Sequence, residues 1–387
     1  MLNQQGQGET SPIAIVGGRV VTPYRIVPDG VLVVSGERIV ACGDRAQTPI
    51  PDGAAIVDVR GALVGPGFVD IHVHGGGGAL AYLDPATMAK AHLMFGTTAI
   101  LPTTSYNESR EQTLEGVRRI IAAMEQPGSS IAGIHLEGPF INKKYGAILS
   151  PIRPIDREEY EELIAAGGSR IKLWTFAPEL EGAAGFAEAA GRNGTILSVG
   201  HSEATAEQIF GFVRNGLMIG CHTTNACGTT PSPSRYGGTR EVGVVEAILV
   251  HDDIFAEVIP DKDGVHVRPL MLKLILKAKG ADKVIVITDA MDGACLDPDA
   301  PSDLNWDIKN QLAGSKLTMD GAVRNMIDHT GVGFVDAFKM AALNPARAMG
   351  FDREMGSLEC GKLANVVVVS DRVDVQRVML RGQWVKE

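Results

Sequence analysis

Apolar and polar positions change rhythm twice along the chain. Between residues 12 and 65 the apolar stretches are short, and Gly, Pro and Asp interrupt them closely. They predict strands at residues 13–16, 19–22, 30–35, 38–42, 55–58 and 62–64, an all-β unit. The C-terminal end has the same texture, with strands expected at 365–370, 375–381 and 384–385. Between these ends, apolar strands alternate with segments of helical spacing. One strand ends at His72-Val73-His74, and the others are expected at 98–103, 131–137, 171–176, 196–201, 218–222, 255–259 and 284–289. Segments 110–124, 183–193, 204–214 and 270–279 carry the helical spacing between them. Eight such strands predict an α/β fold, a TIM-like (β/α)8 barrel.

Composition supports an ordinary globular chain. Of 387 residues, 45% are hydrophobic and 21% charged, ample for a sizeable core. The net charge of -10 argues against nucleic acid or an anionic membrane as the main partner. An anionic substrate would need a local basic pocket. Five scattered cysteines form no CxxC, which suggests a reduced, cytoplasmic protein. Residues 1–11 are polar and lack the apolar run of a signal peptide, and no apolar run is long enough to span a bilayer.

The strand ends carry the chemistry. His72 and His74 stand one residue apart, so on a strand both point to the same side. Glu137, His201, His222 and Asp289 fall at the C-terminal ends of four more strands, the face where barrel enzymes place catalytic groups. A lone histidine after a strand is usually structural. Six such residues on five strands suggest a metal site, since imidazole nitrogens and carboxylate oxygens hold zinc or similar cations. Glu137 has two oxygens and could bridge two ions. Asp289 has a second reading as a helix cap beside Thr288. His135 lies two residues before Glu137 and is expected to support the site rather than bind an ion. Gly75-Gly76-Gly77-Gly78 lacks the features of a phosphate-binding loop and reads as a turn.

These motifs resemble the amidohydrolase superfamily, and within it the N-acetylglucosamine-6-phosphate deacetylases. The resemblance runs from about Gly65 to Asn365. It rests on Gly67-Phe68-Val69-Asp70-Ile71-His72-Val73-His74-Gly75, His135-Leu136-Glu137-Gly138-Pro139-Phe140, Gly200-His201-Ser202, His222-Thr223-Thr224-Asn225-Ala226, Asp263-Gly264-Val265-His266 and Thr288-Asp289-Ala290. It implies a barrel at residues 66–354 and a small β-sandwich built from 1–65 and 355–387. It implies a deacetylase acting on an N-acetylated amino-sugar 6-phosphate. Glu137, His201 and His222 would be metal ligands, and Asp289 the general acid/base. His72 and His74 would make a second ion possible, sharing Glu137 and Asp289. Zinc is the first choice, with iron, manganese or cobalt as alternatives. Asn225, Ala226 and His266 would touch substrate. Arg240 would meet the sugar phosphate, often across a dimer interface, and a homodimer is expected.

The chain departs from the family pattern at one informative place. After Glu-Gly-Pro-Phe the family usually carries a histidine that polarises the substrate carbonyl; here Ile148 stands nearby. A second metal or Tyr145 could take over that role. Residues 226–238 and the run Pro260-Asp261-Lys262-Asp263 also look remodelled. A second reading therefore keeps the chemistry and changes the amide, to a cyclic imide, an N-acyl amino acid or an unphosphorylated sugar.

Overall fold

The computed structural model describes residues 11–147, 152–228, 236–239, 241–297 and 299–387. Its centre is a sheet of eight parallel strands in chain order: Phe68–Val73, Thr97–Thr104, Ile134–Glu137, Ile171–Phe176, Ile196–Val199, Leu217–Gly220, Phe255–Val258 and Val284–Val286. All eight expected strands are present. The first and last meet through a parallel bridge between Val73 and Ala290, and the Asp289 amide donates to the His72 carbonyl at 2.9 Å. These bonds close the barrel at its C-terminal end, where the candidate site lies.

Helices cover the barrel because their apolar stripes match its outer face. Arg110–Met124 follows the second strand, starts on a Ser109–Gln112 capping box, and buries Val117, Ile120 and Ala123. Ala183–Arg192 buries Phe186, whose ring packs against Phe140, Tyr160, Trp174 and Phe176. The Trp174 indole N–H donates to the Gly138 carbonyl at 2.8 Å, so that buried donor is satisfied. No helix among the described residues is long and apolar enough to cross a membrane.

The two chain ends form one eight-stranded sheet. Its path runs Gln383–Lys386, Val375–Leu380, Val366–Val369, Leu63–Pro66, Ile13–Val21, Ile26–Ser35 and Arg38–Asp44, with Ala55–Asp58 also on Ile13–Val21. The antiparallel pairing of Leu63–Pro66 with Val366–Val369 joins the N-terminal half to the C-terminal half. Strand alternation then serves two cores. Val366 and Val368 bury with Ile15, Leu32 and Met379 inside the end sheet. Val367 and Val369 turn the other way and bury with Leu63, Phe68 and Phe338 in the barrel core. Several strand ends shift by a few residues, and one expected break is absent. Residues 13–16 and 19–22 read as two strands, but Ile13–Val21 is one strand whose register shifts around Gly17 and Gly18. The glycines bend the strand without ending it.

A two-stranded hairpin, Leu304–Trp306 with Leu312–Ser315, lies beyond the eighth strand and joins it through an Ala290–Ser315 bridge. It was not anticipated, although Leu304, Trp306 and Ile308 alternate with Asn305, Asp307 and Lys309. That alternation is the strand signal.

Candidate active site

Each strand brings its residue to the barrel mouth for a local reason. His201, His222 and Asp289 stand just past their strands with φ of 48°, 26° and 49°. A left-handed backbone is unfavourable for residues with a Cβ, and it is tolerated where surrounding structure enforces it, often at active sites. His72 lies within its strand and His74 just beyond it. Glu137 ends the third strand. All six are buried.

The side chains converge on Glu137. Its Oε1 lies 2.9 Å from His201 Nε2, 3.1 Å from His222 Nε2 and 3.4 Å from His72 Nε2. Its Oε2 lies 3.3 Å from His74 Nε2. Asp289 Oδ1 lies 3.4 Å from His74 Nε2 and 3.7 Å from His72 Nε2. The Nε2 atoms of His201 and His222 are only 3.0 Å apart. Two imidazole nitrogens at that distance beside one carboxylate oxygen are a natural donor set for a cation.

The outer ring nitrogens agree. His222 Nδ1 faces the Asn225 carbonyl at 3.2 Å and His201 Nδ1 faces the Tyr145 carbonyl at 3.4 Å. A carbonyl only accepts, so each Nδ1 keeps a proton and each Nε2 is the nitrogen turned toward Glu137, the one a bound cation would take. His72 Nε2 has no hydrogen-bond partner among the described residues. The residues present therefore fit two neighbouring cation sites: Glu137, His201 and His222 in one, His72, His74 and Glu137 in the other.

Electrostatics follow from this crowding. Burial opposes the charge on Glu137, yet His201, His222 and His72 hold its carboxyl well below the ordinary range. Burial likewise opposes the charge on Asp289, and His74 and His72 outweigh it, so its carboxyl is also lowered. Burial opposes protonation of His74, but hydrogen bonds to Asp289 and Glu137 lift its ring up to about 9.

A cavity of about 480 Å³ opens over the cluster. Its wall includes His74, Glu137, His201, His222 and Asp289, and also the expected contacts Asn225, Ala226 and His266. Asn225 donates its side-chain amide to the His266 carbonyl at 2.9 Å, which ties the two together. The hairpin supplies Trp306 and Ile308 to the rim, 52% and 90% exposed. Arg240 and Ile148 lie outside the described residues.

The Amidohydrolase family model matches residues 63–385. The chain belongs to the amidohydrolase family. N-acetylglucosamine-6-phosphate deacetylase of Bacillus subtilis (strain 168) is 31% identical to this amidohydrolase over 390 residues, covering 94% of each chain. N-acetylgalactosamine-6-phosphate deacetylase of Escherichia coli O157:H7 is 32% identical, over 87% of this chain and 91% of that one. The crystal structure of N-acetylglucosamine-6-phosphate deacetylase from Pasteurella multocida matches with a TM-score of 0.87 at 28% identity. It covers 97% of this chain and 100% of that chain.

Within the amidohydrolase frame, three side chains escaped the sequence reading. Tyr106 lines the cavity, with its ring 4.7 Å from that of His201. Burial, reinforced by Glu137 and Asp289, pushes its phenol far up, so it stays neutral. Gly146 makes room for it. At φ 98° a Cβ there would stand 2.7 Å from His201 Nδ1 and 2.9 Å from the Tyr106 hydroxyl. Asp261 is the second. Its Oδ2 accepts from the His266 amide at 2.7 Å and faces His266 Nδ1 at 3.2 Å, which leaves His266 Nε2 for the cavity. Glu257 is the third, and the clue to it was a lone acid inside the apolar run 255–259.

Two supporting residues also take definite places. His135 bonds to Thr103 and Thr175 and packs edge-on against His72, 4.6 Å between centroids. Tyr145 is not part of the described cavity wall, and its hydroxyl donates to Glu203 at 3.2 Å. Tyr106 is on the cavity side instead.

Proposed function

We propose that the protein is a metal-dependent deacetylase of N-acetylglucosamine-6-phosphate, or of its galacto epimer, yielding acetate and the free amine. The observation that carries this reading is the meeting of four imidazole Nε2 atoms around Glu137, beside Asp289, with all of these residues except the deeper His72 in the wall of a small-molecule-sized cavity. Deacetylases of both amino-sugar phosphates among the relatives support the substrate class.

Glu137, His201 and His222 would hold one divalent ion. His72 and His74 would hold a second, sharing Glu137 and Asp289. Zinc suits this nitrogen and oxygen set, as do iron, manganese and cobalt. When bound, such an ion supplies Lewis acidity toward water and the amide carbonyl. The Asp289 carboxylate, ionised at neutral pH, accepts the proton of the attacking water. It then delivers that proton to the amide nitrogen as the C–N bond breaks. The Tyr106 O–H donates to the carbonyl oxygen as negative charge grows there. His266 Nε2 and Asn225 Oδ1, without hydrogen-bond partners among the described residues, accept sugar hydroxyls.

The described cavity wall carries no lysine or arginine, and the family resemblance would give the 6-phosphate to Arg240. The catalytic unit is residues 66–354, and 1–65 with 355–387 form the second. The enzyme acts as a cytoplasmic homodimer in this reading.

Purified protein loaded with Zn²⁺, Mn²⁺ or Co²⁺ should release acetate from one of the two sugar phosphates. Chelation should stop release and added metal should restore it. Release only from unphosphorylated N-acetylglucosamine would overturn the phosphate assignment. No release from any of the three, with metal bound, would overturn the substrate class. Tyr106→Phe should lower kcat by about a hundredfold with little change in KM, the signature of a donor used in the transition state. Parallel steady-state measurements on the two proteins read this directly.

A further inference from the structure

Glu257 lies inside the barrel on the seventh strand, Phe255–Val258, and is fully buried. Barrel interiors are filled mainly by Val, Ile and Leu, and an isolated buried carboxylate is costly unless hydrogen bonds and partners compensate. The partners of this carboxylate are all parts of the candidate metal cluster. Glu257 Oε2 faces His72 Nδ1 at 3.4 Å and accepts the His222 backbone N–H at 3.2 Å. The Cys221 thiol lies 3.7 Å from the same His72 Nδ1. Glu257 Oε1 has no hydrogen-bond partner among the described residues.

We propose that Glu257 is the positioning residue for the His72–His74 ion, setting the tautomer of His72 and tying it to His222. This rests on the two-ion reading above. A carboxylate at Nδ1 keeps the proton there, so the Nε2 lone pair faces Glu137 and Asp289. His201 and His222 get the same service from backbone carbonyls. Among the described residues His72 Nδ1 meets no carbonyl, and its other neighbour is the Cys221 thiol, a weak acceptor. One oxygen of Glu257 therefore orients a ligand of the second ion and anchors the backbone of a ligand of the first. The alternative role is direct ligation. His72, Cys221 and Glu257 also place donor atoms close enough to share a cation.

The test is metal titration of the metal-free protein against a chromophoric chelator, for wild type, Glu257→Gln, His72→Ala and Cys221→Ser. Glutamine keeps the shape and an acceptor oxygen for the His222 N–H but removes the charge that strengthens the bond to His72 Nδ1–H and the basicity of its Nε2, and thermal unfolding of the metal-free forms checks that each variant is folded. Wild type should bind two Zn²⁺. Glu257→Gln should bind one with unchanged affinity and the other about 10- to 100-fold more weakly. His72→Ala should lose that same event, and Cys221→Ser should retain both. Two ions of unchanged affinity in Glu257→Gln would overturn the role of Glu257 alone. A single ion in wild type, unaffected by His72→Ala, would overturn it together with the two-ion reading. A third ion in wild type, lost in both Glu257→Gln and Cys221→Ser, would make Glu257 a ligand and overturn the positioning role.

Discussion

Asp289→Asn should lower kcat by about a hundred- to ten-thousand-fold, the range that positioned general acid–base groups contribute. The asparagine keeps the shape and the hydrogen bonds of its backbone, which closes the barrel against His72. It removes the group that accepts the water proton and returns it to the leaving nitrogen. Metal at Glu137, His201 and His222 should survive, so metal content measured beside the rate separates lost chemistry from lost metal. The pH profile adds a second readout. Burial opposes ionisation of Asp289 but His74 and His72 hold its carboxyl below the ordinary range, so the base form is already present at neutral pH. Wild type should gain little from Asp289 as pH rises through neutrality. The residual rate of the variant, dependent on hydroxide, should rise. An unchanged rate at pH 7 would remove Asp289 from the mechanism.

Glu137→Gln should have the broader effect, since both candidate ion sites share this carboxylate. The neutral amide would place an N–H₂ among nitrogens that face an acceptor in the wild type. Metal affinity should fall by more than about a hundredfold, beyond the losses typical of outer-shell changes. Hydrolysis should fall to background. Wild type should unfold at higher temperature when Zn²⁺ is added, because the ion binds the folded state, and the variant should show no such rise. Metal content after dialysis, with thermal scans at fixed Zn²⁺, checks both. Proton competition gives the sign of the pH dependence. In the metal-free protein His74 is lifted up to about 9 by Asp289 and Glu137 against burial, so it carries a proton at neutral pH. Binding must release that proton, and apparent affinity in wild type should rise as pH rises toward 9. Retention of metal by Glu137→Gln would show that the histidines alone suffice.

The barrel was legible because each strand is a local event. An apolar run such as Ile171–Phe176 or Val284–Val286, ended by polar residues or glycine, needs no distant partner to be recognised. Arg110–Met124 was equally plain, since its apolar spacing is contained in one segment. The hairpin Leu304–Ser315 also alternates, but its short strands border charged turns, which mask the pattern. The candidate ligands were legible for a related reason. They stand at the ends of those runs, and strand ends of a parallel barrel gather at one face.

What surrounds the ligands was not legible in this way. Tyr106 and Asp261 look unremarkable in their own segments, and Glu257 shows there only as a lone acid in an apolar run. Tyr106 gains meaning from His201 and Gly146, and Glu257 from His72, 185 positions away. Asp261 was visible only as a remodelled loop until its carboxylate met the His266 amide and ring. The sequence alone determined the eight strands, the β texture of both chain ends and the residues offered at the barrel mouth. Those depend on hydrophobic period and residue type over a few neighbours. The tertiary structure decided which nitrogen of each histidine faces Glu137, which phenol reaches the cavity and which buried acid steadies His72. Those depend on barrel closure, on left-handed turns at His201, His222 and Asp289, and on contacts between strands far apart in the chain.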